Sequence, residues 1–218
     1  SGNTGSGKAS VEENRIKLKH RYGTIMAGVH RGVTDFMSVG AFVFHAGTGN
    51  VLGNYKTVVA TTTGAILKDD PAGHGKDRTK ITYVTPRFGG FQAGYSFTPD
   101  GDQSGEAKLA TAAKEASGIV TPSGQNIQEI GANFKKEFMG GFGLQLSTTG
   151  LFGKAKNTER FIAQGHKDIA SFALGFVMNY AGFSLGGEYL NNGKSLEWKG
   201  LKDSDAGRVY NIGLGYTQ

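Results

Sequence analysis

KITYVTPRFGGFQAGYSFTPD, running from Lys80 to Asp100, holds the pattern on which the reading of the whole chain rests. Ile81 and Tyr83 alternate with Lys80, Thr82 and Val84. A glycine-rich turn follows at Arg87 to Gly90, and then Phe91, Ala93, Tyr95 and Phe97 alternate with Gln92, Gly94, Ser96 and Thr98. Successive side chains on a strand point to opposite faces, so this is a β-hairpin with one apolar face and one small or polar face. A strand half buried in a soluble β-sandwich shows the same alternation, and the hairpin by itself does not separate the two.

Working outward, the pattern recurs on both sides. From Asn14 to His20, Ile16 and Leu18 alternate with Arg15, Lys17 and Lys19, so three cations project from one face of a single strand. A solvated edge that blocks aggregation uses lysine in the same way. A turn at Arg21 to Gly23 leads into Thr24 to His30, where Ile25, Ala27 and Val29 share a face. Downstream, Ile130, Ala132 and Phe134 precede a turn at Glu137 to Gly141. Phe142, Leu144 and Leu146 then begin a strand that extends toward Phe152. Phe172 to Tyr180 and Phe183 to Tyr189 flank a tight turn at Ala181 and Gly182. Tyr210, Ile212, Leu214 and Tyr216 form the last strand.

The connections between these nine predicted strands alternate short and long throughout. Gly32 to Asp77, Gly101 to Asn126, Gly153 to Asp168 and Asn191 to Gly207 are the long ones, and the second includes the helix-prone run GEAKLATAAKEASG. Connections beyond about 15 residues are uncommon and usually functional or disordered. Gly32 to Asp77 is too apolar for disorder, with Phe36, Met37, Val39, Phe42, Val43 and Phe44 in need of packing partners, so it is expected to fold onto the body of the protein. Short turns at one end of a meander and long loops at the other are the mark of an outer-membrane barrel. Greek-key crossings in a sandwich would not keep that order. Tyr22, Phe88, Phe91, Phe138, Phe142, Tyr180 and Phe183 cluster beside the short turns, where they would form an interfacial girdle. The opposite strand face is small or polar, which suits a wet interior and not a packed soluble barrel.

Composition agrees. Among 218 residues there are 36 glycines and only four prolines, which fits many tight turns and excludes collagen or a disordered linker. Mean hydropathy is −0.31. There is no apolar run on the order of 18 residues, so no transmembrane helix is expected, a test that a β-barrel escapes. Cysteine is absent, which excludes disulfides and thiolate chemistry. The net charge of +6 is compatible with nucleic acid, anionic headgroups or plain solubility.

In this order of motifs the sequence resembles the general bacterial porins, of the alphaproteobacterial type. NRIKLKHRYGTIMAG resembles the strand, turn and strand ahead of the porin constriction loop, and KITYVTPRFGGFQAGYSFTPD the hairpin after it. NIQEIGANFKKEF, ALGFVMNYAGFSLGGEYLNNG and GRVYNIGLGYTQ match more weakly. The resemblance implies an all-β transmembrane meander barrel of roughly 16 strands in one domain. It also implies a homotrimer in contact with outer-membrane lipid and lipopolysaccharide, and a long loop folded inward, whose place Gly32 to Asp77 occupies. Small hydrophilic solutes and ions would diffuse through it, with no cofactor and no nucleic-acid partner. An odd number of strands does not close in the usual bacterial manner. The chain therefore reads as the central part of a porin, lacking roughly four strands ahead and three behind on the family's count.

By parity Arg15, Lys17 and Lys19 face the lumen if Ile16 and Leu18 face lipid, and Arg78 and Lys80 share that parity. Asp35, Asp69 and Asp70 are the loop acids that the family pattern sets opposite such a basic wall. Each is equally readable as a solvated loop charge. Three rival functions come from other classes, one of them a non-transporting structural barrel of the envelope. A lipid-hydrolysing barrel would need a nucleophile beside one of the five histidines, at 20, 30, 45, 74 and 166, and no GxSxG elbow supports it. The histidines also lack metal-site spacing. A nucleic-acid binder would interleave aromatics with cations on one face, whereas here they take opposite faces.

Overall fold

The computed structural model describes residues 13–40, 78–101, 123–156, 165–197, 199–200 and 207–217. Within them the chain forms one antiparallel sheet whose nine strands lie side by side in sequence order. The strands are β1 (Asn14–His20), β2 (Gly23–His30), β3 (Arg78–Val84), β4 (Phe91–Asp100), β5 (Ser123–Phe138), β6 (Phe142–Lys156), β7 (Ile169–Tyr180), β8 (Phe183–Gly193) and β9 (Gly207–Tyr216). A single helical turn, α1 (Val33–Phe36), follows β2. The sheet is open, with β1 and β9 at its edges. Among the described residues no helix is long and apolar enough to cross a membrane.

Registers set by the hairpins carry the apolar parity unbroken across the sheet. Leu18 opposes Ile25, Ile25 opposes Tyr83, and Tyr83 opposes Tyr95. Tyr95 opposes Ile130, and farther on Leu146, Phe176 and Gly187 align with Ile212. At the tight turn, Ala181 and Gly182 have φ of 48° and 82°, both left-handed. That geometry follows the right-handed twist of two-residue hairpins, and alanine tolerates it less well than glycine. At the turn between β3 and β4, the Arg87 guanidinium donates to the Gly90 carbonyl at 2.6 Å, to Gln92 Oε1 at 2.9 Å and to Asn133 Oδ1 at 2.8 Å, tying the turn to β5.

The burial is inverted relative to a soluble sandwich. Ile16, Ile81, Ile130 and Ile212 are 70%, 53%, 50% and 77% exposed, whereas Thr82, Ser96 and Glu129 on the other face are 1%, 0% and 0% exposed. Aromatics mark both ends of the apolar face. Phe91 packs on Phe134, and Phe183 on Tyr216, beside the short turns; Phe172, Tyr189 and Tyr210 pack together toward the other end. On β7, Phe172 and Tyr180 lie roughly 26 Å apart at about 3.3 Å per residue.

Some boundaries differ from those read in the sequence. β5 begins at Ser123, well ahead of Ile130, and β6 continues past Phe152 to Lys156. The register slips between Gln125 and Gln128, and Asn126 sits at φ 51°. This bulge inserts an extra residue, so Gly124 and Ile127 are both buried although they lie on opposite parities, which breaks the period-two signal. The helix-prone run lies outside the described residues.

Candidate functional site: the polar face and the segment docked on it

Directly after β2 the chain turns back onto the polar face of its own sheet. Glycine makes room for it. Gly94 and Gly131 are direct partners across β4 and β5. A Cβ at Gly94 would lie 2.8 Å from Val33 Cγ1, and one at Gly131 would lie 2.9 Å from Met37 Sδ. Two strands farther on, a Cβ at Gly175 would lie 1.7 Å from the Val39 carbonyl oxygen. Three glycines on one face thus form a trough for residues 32–39. Val33 and Met37 are fully buried in a small cluster with Met26 and Val84, and burial of side chains of this size contributes about 1.5–3 kcal/mol each.

Polar groups fix the segment's register on the wall. The Val33 amide donates to Ser96 Oγ at 3.1 Å, and the Val39 amide donates to Ser147 Oγ at 2.9 Å. Asn133 Nδ2 donates to the Met37 carbonyl at 3.3 Å. At the centre Glu129 accepts on both carboxylate oxygens. Lys80 Nζ donates to Oε1 at 2.9 Å, while the Thr34 hydroxyl and amide donate to Oε2 at 2.6 and 3.2 Å. The Lys80 and Glu129 side chains are both fully buried. Beside them His30 Nε2 lies 2.9 Å from Thr82 Oγ1, and the Thr82 hydroxyl donates to Ser96 Oγ at 2.8 Å. A buried carboxylate is tolerated only when paired and hydrogen-bonded, and three donors meet that requirement here.

The residues singled out in the sequence divide into groups. Arg15, Lys17 and Lys19 stand exposed on β1, opposite Gly28, Met26 and Thr24 in register. They lie on the face that carries the docked segment, and Arg15 pairs with Glu13. Arg78 opposes His30 on β3. Lys80 shares the face but lies beneath α1, closed into its pair with Glu129. Asp35 sits in α1, with Arg31 Nη1 3.4 Å from its Oδ2. Asp69, Asp70, His45 and His74 lie outside the described residues. Sequence reading passed over Glu129 and the trough glycines. The available signal was parity: Glu129 is a lone acid in step with Gly131 and Asn133.

At the end of the sheet beyond the long connections, Asp168 accepts from Lys154 Nζ at 2.7 Å and from the Ala155 amide at 3.0 Å. The hydrogen bond from Lys154, followed by that from the amide, holds this carboxyl below the usual carboxylate range.

The sequence profile of the Gram-negative porins matches residues 1–218. The chain belongs to that family. Curated relatives of this porin include an uncharacterised protein of Rickettsia felis, 30% identical over 155 residues that cover 55% of this chain and 35% of the relative. An uncharacterised protein of Rickettsia conorii is 29% identical over 154 residues, covering 55% and 35%. A third, from Rickettsia typhi, is 30% identical over 156 residues, covering 55% and 36%. The matched stretch therefore spans about a third of the curated relatives. No solved structure matches this porin. Family and strand-rich fold together fit an outer-membrane β-barrel.

Proposed function

We propose that the chain forms part of a water-filled channel through which small hydrophilic solutes and ions diffuse passively across the outer membrane. The observation that carries this reading is the inverted sheet, with Ile, Leu and aromatic side chains outward and a polar face folded against its own connecting segment. An apolar face of that kind belongs against lipid, and open edges cannot face lipid. The nine strands are accordingly read as part of a closed barrel of roughly 16. The barrel assembles as a homotrimer whose outer surface meets lipid and lipopolysaccharide.

In this reading Gly32 to Asp77 narrows the lumen, and the trough anchors the segment where it starts. Arg15, Lys17, Lys19 and Arg78 form the basic wall, while Glu129 offsets the charge of Lys80. Asp35, Asp69 and Asp70 supply the facing acids, and the field between wall and loop sets selectivity. No chemical step is involved.

The test is single-channel recording of the full-length porin in a planar bilayer under a salt gradient. Discrete steps in groups of three with modest ion selectivity are expected. Folded, inserted protein that passes no current would end the channel reading.

A further inference from the structure

Between β1 and α1 the polar face holds a cleft of about 400 Å³ with an unusual lining. Its rim is cationic, with Arg15, Lys17 and Arg31, and its floor is apolar, with Met26, Val84 and the ring of Phe36. Met26 and Val84 are almost fully buried, but Phe36 on the same face is 42% exposed. An apolar ring left in water beside cations gains by being covered. The acids of the cleft constrain what can cover it. Glu13 pairs with Arg15 and lies 3.7 Å from Arg31 Nε, and Asp35 also faces Arg31. Among the described residues these two carboxylates offset two of the three cations, which leaves the excess positive charge at Lys17. The cleft therefore matches a single negative charge attached to a compact apolar body.

We infer that this cleft is a subsite for small monocarboxylates with an apolar body, of the aromatic or branched aliphatic kind. The carboxylate is held at Lys17 and the body covers Phe36 and Met26. This rests on the channel reading and adds to it a solute class that the pore enriches and not merely admits. A solute lacking the apolar body, such as acetate, would meet Lys17 alone, in water, where a single exposed ion pair is weak. Lys17 opposes Met26 in register, which places charge and apolar contact on adjacent strands within reach of one small molecule.

The test is current block in the full-length porin, reconstituted in planar bilayers in potassium chloride, with benzoate or acetate added to one side. Benzoate should reduce the chloride current saturably, with a half-blocking concentration about tenfold below that of acetate. Lys17→Gln should raise the benzoate value about fivefold, and Lys17→Arg should leave it near wild type, separating lost charge from lost fold. Phe36→Ser should bring benzoate and acetate together. Equal block by the two anions in the wild type, or block unmoved by Lys17→Gln and Phe36→Ser, overturns the subsite while an intact chloride conductance leaves the channel standing. Inserted protein that conducts no chloride refutes the channel and the subsite with it.

Discussion

Removal of the Glu129 carboxylate should free the docked segment. In Glu129→Ala the Lys80 ammonium, whose side chain is fully buried, loses the Glu129 carboxylate, and the amide and hydroxyl of Thr34 lose their acceptor. Breaking a buried ion pair by deleting one partner costs about 3–5 kcal/mol, because the surviving charge stays desolvated. The fold offers a local route to relieve that cost. If residues 32–39 lift from the trough, Lys80 regains water while β3 and the sheet stay intact. At the lower bound, about 3 kcal/mol, the undocked population rises roughly a hundredfold. In single-channel records the variant should show a raised mean current and larger open-level fluctuations. Limited trypsin digestion, which needs no current, should cut after Arg31 faster than in wild type. Lys80→Met combined with Glu129→Ala removes the stranded charge and should recover most of the docking, leaving only the loss at Thr34. Unchanged current noise and trypsin sensitivity in Glu129→Ala would refute the argument. So would a double variant as perturbed as the sum of the two singles, since additivity means no coupling across the pair.

Three further outcomes follow from the same geometry. Gly175→Ala places a Cβ 1.7 Å from the Val39 carbonyl oxygen; it should break the hydrogen bond that the Val39 amide donates to Ser147 Oγ and accelerate the same trypsin cut, and an unaltered cleavage rate would show that the trough is not filled at Val39. Joint neutralisation of Arg15, Lys17 and Lys19 to glutamine should move the reversal potential in a salt gradient toward cation selectivity, and an unmoved potential would take that face of β1 out of the lumen. Asp168, whose carboxyl is held below its ordinary pKa by Lys154 and the Ala155 amide, contributes stability that is present above the unfolded pKa and lost as pH falls through the lower, folded one. Asp168→Asn lacks that contribution at every pH, so its melting temperature should fall less than the wild type's between about pH 5 and about pH 2. Equal acid sensitivity would mean that the contact is silent.

The fold was legible wherever a strand kept strict alternation. β1 begins and ends where Ile16 and Leu18 alternate with cations, and β8 and β9 pair as Phe183 to Tyr189 and Tyr210 to Tyr216 suggest. Legibility failed in the first half of β5, where the bulge near Asn126 flips parity and a period-two reading finds a loop. The basic face of β1 was readable because parity is a local property. The trough was not, since Gly94, Gly131 and Gly175 acquire their role only when three separate strands align and a segment from elsewhere lies across them. Glu129 failed for the same reason: Lys80 is 49 positions away, and nothing local marks the two as a pair.

The polar face also explains why the segment stays with this wall. Filling the positions of Gly94, Gly131 and Gly175 with larger side chains would make a better-packed sheet and eject residues 32–39. Leaving them as glycine costs each strand packing and conformational entropy. That cost is offset only if something else covers the gap, and Val33, Met37 and Val39 do so. The wall's hydroxyls and carboxylate bear the same dependence. With the segment in place Ser96, Ser147 and Glu129 are shielded from water, and each accepts at least one hydrogen bond from the segment, through the amides of Val33, Thr34 and Val39 and the Thr34 hydroxyl. Wall and segment are therefore each unfavourable without the other. A sequence change on either side should be read through its effect on their contact before any effect on the strands themselves.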